Sequence, residues 1–406
     1  MKNEKHLKKA LIISYFLDRN ISVGAIRIQQ VIQHLISLNY SVTILCENID
    51  TEFELKLENQ KVLKIASWRK VAKDKISSSN STFSFLKYFK NFLLKRGIPI
   101  IGRMPDGLNS WRKKSLRTIN SDQAYDLIFS TYAPYSNHLI AQKVKNNNPS
   151  SFWIADFRDP WTFHHFFKGL KILSFLEKHI EKKVFKTSDL ILTANSNITD
   201  HYKNLYPLAL VSTLENGIDS SFLHKYDKLP ALKNSPNLII HAGTIYSKFQ
   251  NIKPFLEALS HSNNIYPIHF IGLNNPTANI IEDHHTAFKH MTFISKLNEN
   301  NLLSYYKSSS YLLFFDYDHC QYVTSKKLYE YCATGKVILF ITNHKNSTCA
   351  NIAQKYGNVK FIENNSIAIS EALTNLPSPK ASNDHNLENI YFDTNLNKFL
   401  KKYHLT

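Results

Sequence analysis

Ala10-Leu-Ile-Ile-Ser-Tyr-Phe16 is an almost unbroken apolar run, and Ser41-Val-Thr-Ile-Leu-Cys46 is a second. Between them, Ile28, Val31, Ile32, Leu35 and Ile36 recur at helical spacing within Ile26–Leu38. Short apolar runs read as strands buried on both faces, and the amphipathic stretch joining them reads as a crossover helix. That β-α-β unit implies parallel strands, and the same alternation continues outward along the chain. Tyr125–Ser130, Ser151–Ala155 and Leu190–Ala194 read as strands, with Tyr135–Lys145 and Ile172–Lys186 as helices. A second series follows the polar, proline-bearing stretch Tyr226–Pro236. Its strands are Asn237–His241, Ile268–Ile271, Tyr311–Phe315 and Val337–Ile341, and its helices are Lys253–Ser260, Glu299–Lys307 and Ser325–Ala333. The expectation is α/β architecture in two tandem doubly wound parallel-sheet domains, 1–215 and 216–385. A terminal segment, 386–406, is expected to fold back on the first domain.

Composition narrows the function classes. The 406 residues carry 50 Lys plus Arg against 32 Asp plus Glu, a net charge of +18, which calls for a polyanionic partner. There is no helix-turn-helix, zinc-finger or RNP pattern, so the charge is assigned to phosphates and an anionic membrane face rather than to nucleic acid. With only 10 glycines, no G-x-G-x-x-G occurs. Gly97-Ile-Pro-Ile-Ile-Gly102 is followed by Arg103-Met104, where a phosphate loop needs Lys and Ser/Thr. Cys46, Cys320, Cys332 and Cys349 form no C-x-x-C, which is the cysteine usage of a reducing compartment. Lys2, Lys5, Lys8 and Lys9 before the first apolar run imitate a signal peptide. That run ends at Asp18-Arg19 with no small-residue cleavage site, so it is read as the first strand. No apolar stretch is long enough for a membrane-spanning helix.

In open parallel sheets, ligands lie at the carboxyl ends of the strands. Here the segments after the strands read Gly24-Ala-Ile-Arg27, Thr131-Tyr-Ala-Pro134, Asp156-Phe-Arg158-Asp159-Pro160-Trp161 and Gly243-Thr244-Ile-Tyr246; a loop after Phe315 delivers Lys327-Leu-Tyr-Glu330-Tyr331, and Asn216-Gly-Ile-Asp219 lies at the domain junction. Lys327 and Glu330, three apart on one helix, read either as an exposed ion pair or as a lysine for phosphate beside a carboxylate for paired hydroxyls. Ser325 stands where it can cap that helix. Gly243-Thr244 reads as a strand-to-loop turn or as a close backbone approach to phosphate, with Lys248, or alternatively Lys253, supplying charge. Asp156, Arg158 and Asp159 read as a structural ion pair or as groups serving a ligand. Arg27 reads as a surface residue or as a member of the same site.

Taken in order, the G-x-x-R, D-F-R-D-P-W, N-G-I-D, A-G-T-I-Y and K-L-Y-E-Y segments resemble the family 4 glycosyltransferases of GT-B fold, in the bacterial surface-polysaccharide branch. The resemblance covers almost the whole chain. It implies two Rossmann-like domains facing a central cleft and a retaining transfer from a nucleoside-diphosphate sugar to a lipid-linked or oligosaccharide acceptor, at the cytoplasmic face of the inner membrane. It implies catalytic roles for Asp156, Arg158 and Asp159. Donor binding falls to Gly243, Thr244, Lys248, Lys327 and Glu330, and the acceptor side to Gly24, Arg27, Pro134 and Trp161. Two positions depart from the family pattern: Tyr322 replaces the first Glu of the Glu-x7-Glu pair, and Asn39 replaces a Gly before the second strand.

No metal or other cofactor is expected. His164-His165 has no second ligand set at metal spacing, and Asp316-Tyr-Asp318 matches a D-x-D motif that belongs to the other main glycosyltransferase fold. Ser81–Arg96 places Phe85, Leu86, Phe89, Phe92 and Leu93 on one helical face with Lys87, Lys90, Lys95 and Arg96 elsewhere. It reads as a core-packed helix or as an anionic-membrane anchor. A nucleotide-sugar epimerase and an inactive nucleotide-sugar-binding scaffold remain the alternative functions.

Overall fold

A computed structural model describes residues 7–18, 24–57, 60–67, 103–119, 124–164, 169–232, 237–261, 266–273, 291–320, 322–379 and 387–406. Ser81–Arg96 and Gly97–Gly102 lie outside the described residues. The chain forms two compact units, Met1–Glu215 with Leu396–Thr406, and Asn216–Asn395.

The strands of the first unit are β1 (Lys9–Ile13), β2 (Phe16–Leu17), β3 (Ser41–Cys46), β4 (Asn48–Ile49), β5 (Lys61–Lys64), β6 (Leu127–Thr131), β7 (Phe152–Phe157), β8 (Leu190–Thr193) and β9 (Val211–Thr213). Seven of them form one sheet in the order β5-β3-β1-β6-β7-β8-β9, parallel throughout. The run Ala10–Phe16, expected as one strand, is interrupted after Ile13. Phe16–Leu17 leaves the sheet and pairs with Asn48–Ile49, while Ser14 Oγ donates to the Phe16 carbonyl at 2.8 Å. The helix Gly24–Ser37 ends before Asn39, whose φ of 63° is left-handed. Asparagine is the residue after glycine that best tolerates that conformation, which accounts for an Asn at this position.

The second unit has β10 (Ile239–Ala242), β11 (Ile268–Ile271), β12 (Met291–Ile294), β13 (Tyr311–Phe315), β14 (Val337–Ile341) and β15 (Asn358–Ile362). They form a parallel sheet in the order β12-β11-β10-β13-β14-β15. Its core joins Ile239, Leu313, Phe315 and Leu339 of the strands to Phe255, Leu256 and Leu259 of the helix Lys253–His261, and to Ile369 and Leu373 of the helix Ser366–Thr374. Each such side chain contributes roughly 1.5–3 kcal/mol on leaving water.

Both sheets have the same topology: the first strand lies in the middle, the second and third run to one side, and the fourth onward to the other. The reversal falls between β1 and β6 in one unit and between β10 and β13 in the other. At that point successive crossovers diverge, and it is there that such folds bind ligands.

The C-terminal segment divides differently from the expected boundary at 385. Ile218 bridges Tyr391, and its backbone exchanges hydrogen bonds with Ile390 and Phe392, so 387–395 belongs to the second unit. Leu396 onward belongs to the first, where the Leu405 carbonyl accepts from Tyr40 Oη at 2.7 Å and that of Thr406 from Lys8 Nζ at 3.1 Å.

Candidate functional site

At the switch point of the second unit, β10 ends in Gly243, whose φ of +92° few side chains adopt. The helix Lys326–Ala333 follows β13 and packs beside this turn. Tyr331 holds it there: its buried hydroxyl accepts from the Ala242 N–H at 2.9 Å. One turn earlier in the helix, Lys327 extends over the Phe314 ring, with Nζ 5.8 Å from its centroid. Nζ donates to the Thr244 carbonyl at 3.4 Å and lies 3.3 Å from His241 Nε2. A Cβ placed on Gly243 would meet Lys327 Nζ at 3.7 Å.

His241 is wholly buried, and the Leu313 carbonyl 3.0 Å from Nδ1 can only accept. Nδ1 therefore carries the proton, and the Nε2 lone pair faces the ammonium. Burial, reinforced by Lys327, lowers the His241 pKa well below the ordinary histidine value and keeps the ring neutral. Burial also brings Lys327 down to about 7. Among the described residues Lys327 has no carboxylate within ion-pair distance. The result is a lysine on a glycine turn whose charged form burial disfavours, aligned by carbonyl and imidazole.

Glu330 points elsewhere. Its Oε2 accepts from Tyr306 Oη at 3.4 Å, and Oε1 lies 3.7 Å from Lys326 Nζ. Burial raises its pKa, opposed chiefly by Lys326. The exposed Lys327–Glu330 pair weighed from spacing is thus not formed, because Lys326, four residues before Glu330, takes the ion pair. Ser325 occupies the cap position but makes no side-chain cap bond. Lys248 and Lys253 are both exposed, and the cation at Gly243–Thr244 is Lys327. Tyr322 is half-buried. Asp316 accepts from Thr342 Oγ1 and Ser347 Oγ, each at 2.7 Å, and so ties the ends of β13 and β14 to the next helix. Among the described residues no three His, Cys, Asp or Glu side chains gather as a metal site.

The equivalent point of the first unit is closed electrostatically. Arg27 and Asp156, expected in the ligand site, are 5% and 0% exposed and paired face to face: Nε to Oδ2 at 3.2 Å and Nη2 to Oδ1 at 3.1 Å. Arg27 also donates to the Leu214 carbonyl at 2.9 Å, and Asp156 accepts from Thr131 Oγ1 at 3.2 Å. The pair fastens β7 to the helix Gly24–Ser37, which is a structural duty. Arg158 and Asp159 stay partly exposed, 3.4 Å apart, with Arg158 Nε donating to the Tyr132 carbonyl at 3.2 Å. Gly24 is where Arg158 needs it: any Cβ there would overlap the guanidinium.

Trp161, expected at the acceptor side, is a core residue. It is fully buried and stacked on Tyr135 at 5.0 Å, and its backbone N–H donates to Tyr202 Oη. Pro134 is likewise buried, in the turn before the helix Ser136–Asn147. The sequence reading also missed the support beneath this loop. Glu177, 0% exposed, takes Arg103 in a two-pronged pair at 2.9 and 2.6 Å, and Arg103 Nη1 donates to the Thr162 carbonyl. Glu181 accepts from Thr162 and from Tyr206 Oη, and burial raises its pKa to about 7. The only sequence signal was two acids four apart among the apolar positions of one helix.

No protein-family profile matches the chain, and no curated protein matches it in sequence. The solved structures to which it is similar over its length include two glycosyltransferases and an epimerase. A glycosyltransferase from Rickettsia africae ESF-5 shares 12% identity at a TM-score of 0.65, over 98% of each chain. The lipopolysaccharide outer core galactosyltransferase WaaB shares 13% at 0.56, over 98% of this chain and 99% of that one. A UDP-N-acetylglucosamine 2-epimerase shares 10% at 0.53, over 99% and 98%. Two parallel-sheet α/β domains of this kind are the GT-B fold, which transferases and epimerases share.

Proposed function

We propose that the chain is a glycosyltransferase of surface-polysaccharide biosynthesis. It moves a sugar from a nucleoside-diphosphate donor to a lipid-linked or oligosaccharide acceptor with retention, at the cytoplasmic face of the inner membrane. The observation that carries this reading is Lys327 on the Gly243–Thr244 turn, without a carboxylate partner among the described residues and with Glu330 one helical turn on. In this reading the turn and Lys327 take the diphosphate, and Glu330 accepts the ribose hydroxyls. The donor's bond to the anomeric carbon breaks more easily as charge growing on the departing diphosphate meets a prepositioned cation. Lysine supplies that stabilisation, so the mechanism calls for no metal. On the first unit, Arg158 and Asp159 are the charges left for sugar or acceptor.

The epimerase alternative needs carboxylates free to move protons at the sugar. Asp156, whose oxygens are held by Arg27 and Thr131, is unsuited to that, which favours transfer. Incubation with UDP, GDP and ADP sugars decides between them. Nucleoside diphosphate released only when an oligosaccharide or lipid-linked acceptor is present establishes transfer. Epimeric sugar formed without acceptor establishes epimerisation, and binding without turnover leaves a scaffold.

A further inference from the structure

The helix Ser174–Thr187 and the turn Lys171–Leu173 before it sort their side chains unusually. The helix contains two acids, Glu177 and Glu181, and both are 0% exposed, held by Arg103, Thr162 and Tyr206. Its outer face keeps only cations, histidine and large apolar groups. Ile172 is 89% exposed, Phe175 83% and Leu176 45%. Lys171, Lys178, His179, Lys182, Lys183 and Lys186 are all exposed around or beyond them. Phe175, His179, Lys182 and Lys186 follow one another at i, i+4, i+7 and i+11, so they form one stripe down the helix. The apolar residues sit at its first turn and the lysines along the next three, spread over roughly 16 Å at 1.5 Å per residue.

Three large apolar side chains exposed together, with no exposed acid on the element carrying them and five lysines beside them, suit an anionic bilayer. The apolar tip enters the headgroup boundary, and the lysines stay among the lipid phosphates. We infer that Lys171–Lys186 is a membrane-docking face of the first unit, with Ile172, Phe175 and Leu176 inserting and the lysines selecting anionic lipid. This segment does not include Ser81–Arg96, and the proposal does not depend on the transferase reading.

Co-sedimentation of the full chain with vesicles tests it, using phosphatidylcholine alone against an equal mixture with phosphatidylglycerol. The chain should bind the mixed vesicles and release as salt rises, since surface attraction is screened over a Debye length. Ile172→Ser with Phe175→Ser should weaken that binding by about tenfold or more, the scale of losing buried apolar area. Lys178→Glu with Lys182→Glu should weaken it comparably and abolish the preference for phosphatidylglycerol. These positions are exposed, so the melting temperature should hold in each variant. Binding that survives both double substitutions overturns the proposal. So does a chain that ignores anionic vesicles, or one that self-associates through this face, seen as a dimer by light scattering that the apolar double variant dissociates.

Discussion

The two units repeat one topology and treat charge at its switch point in opposite ways. In the first, Arg27 meets Asp156 and Arg103 meets Glu177, each pair nearly inaccessible and geometrically complete. In the second, Lys327 is drawn into a partly buried position and given a carbonyl and an imidazole but, among the described residues, no carboxylate. A satisfied pair has no free capacity for a ligand's charge, and an unmatched cation has. Equivalent places in equivalent folds are therefore not equivalent sites, and charge counted along the sequence does not distinguish them.

The largest expected effect breaks the closed side. Asp156→Ala should lower unfolding free energy by about 3–5 kcal/mol, because it strands a buried guanidinium. Arg27→Met combined with Asp156→Leu should recover most of that loss in denaturant titrations. A fully folded Asp156→Ala with lost turnover would return Asp156 to the chemistry.

Next comes the open side. Glu330→Ala should cost roughly 2–4 kcal/mol in kcat/KM, the scale for a well-placed polar contact, while the melting temperature changes little. Glu330→Gln should lose less, since it keeps an acceptor oxygen. Lys327→Ala should weaken nucleoside diphosphate more than the bare nucleoside, as calorimetry would show. Full activity in Glu330→Ala would leave the helix as scaffolding.

The smallest effect sharpens the contrast through pH. Lys327, with a pKa of about 7, is mostly charged at pH 6 and mostly neutral at pH 8. The phosphates of an intact nucleotide sugar do not titrate there. Donor affinity should therefore fall as pH rises through 7, by about tenfold between those two values. Lys327→Arg, permanently charged, should flatten the profile. An unchanged slope in that variant would assign the titration to another group.

Much of the fold was legible because parallel strands buried on both faces are apolar runs of limited length, and the helices between them keep their period. Ser41–Cys46, Ile268–Ile271, Tyr311–Phe315 and Val337–Ile341 have the boundaries that pattern predicts. The interruption after Ile13 was not legible, since Ser14-Tyr15-Phe16 continues the apolar composition while the Ser14 hydroxyl turns the backbone. Within the candidate site, Gly243 and Thr244 stood out immediately after a strand, and Lys327 and Glu330 by their spacing of three on one helix and by the resemblance. His241 and Tyr331 did not, because a buried polar side chain inside an apolar run shows its purpose only through its partner. Lys248 was preferred to Lys253 as the cation at the turn, whereas the lysine that reaches it is Lys327, whose bonds to His241 and Thr244 span more than 80 residues of sequence.

What the sequence determined by itself was the two-domain parallel α/β fold: local periodicity depends on neighbours a few positions away. Which charges are spent and which are free was decided only by the tertiary structure. An arginine finds its carboxylate across 129 residues, as Arg27 does in Asp156, and among the described residues Lys327 is left without one by the same folding. Burial sets the energy of both outcomes, and burial exists only once the sheets have formed.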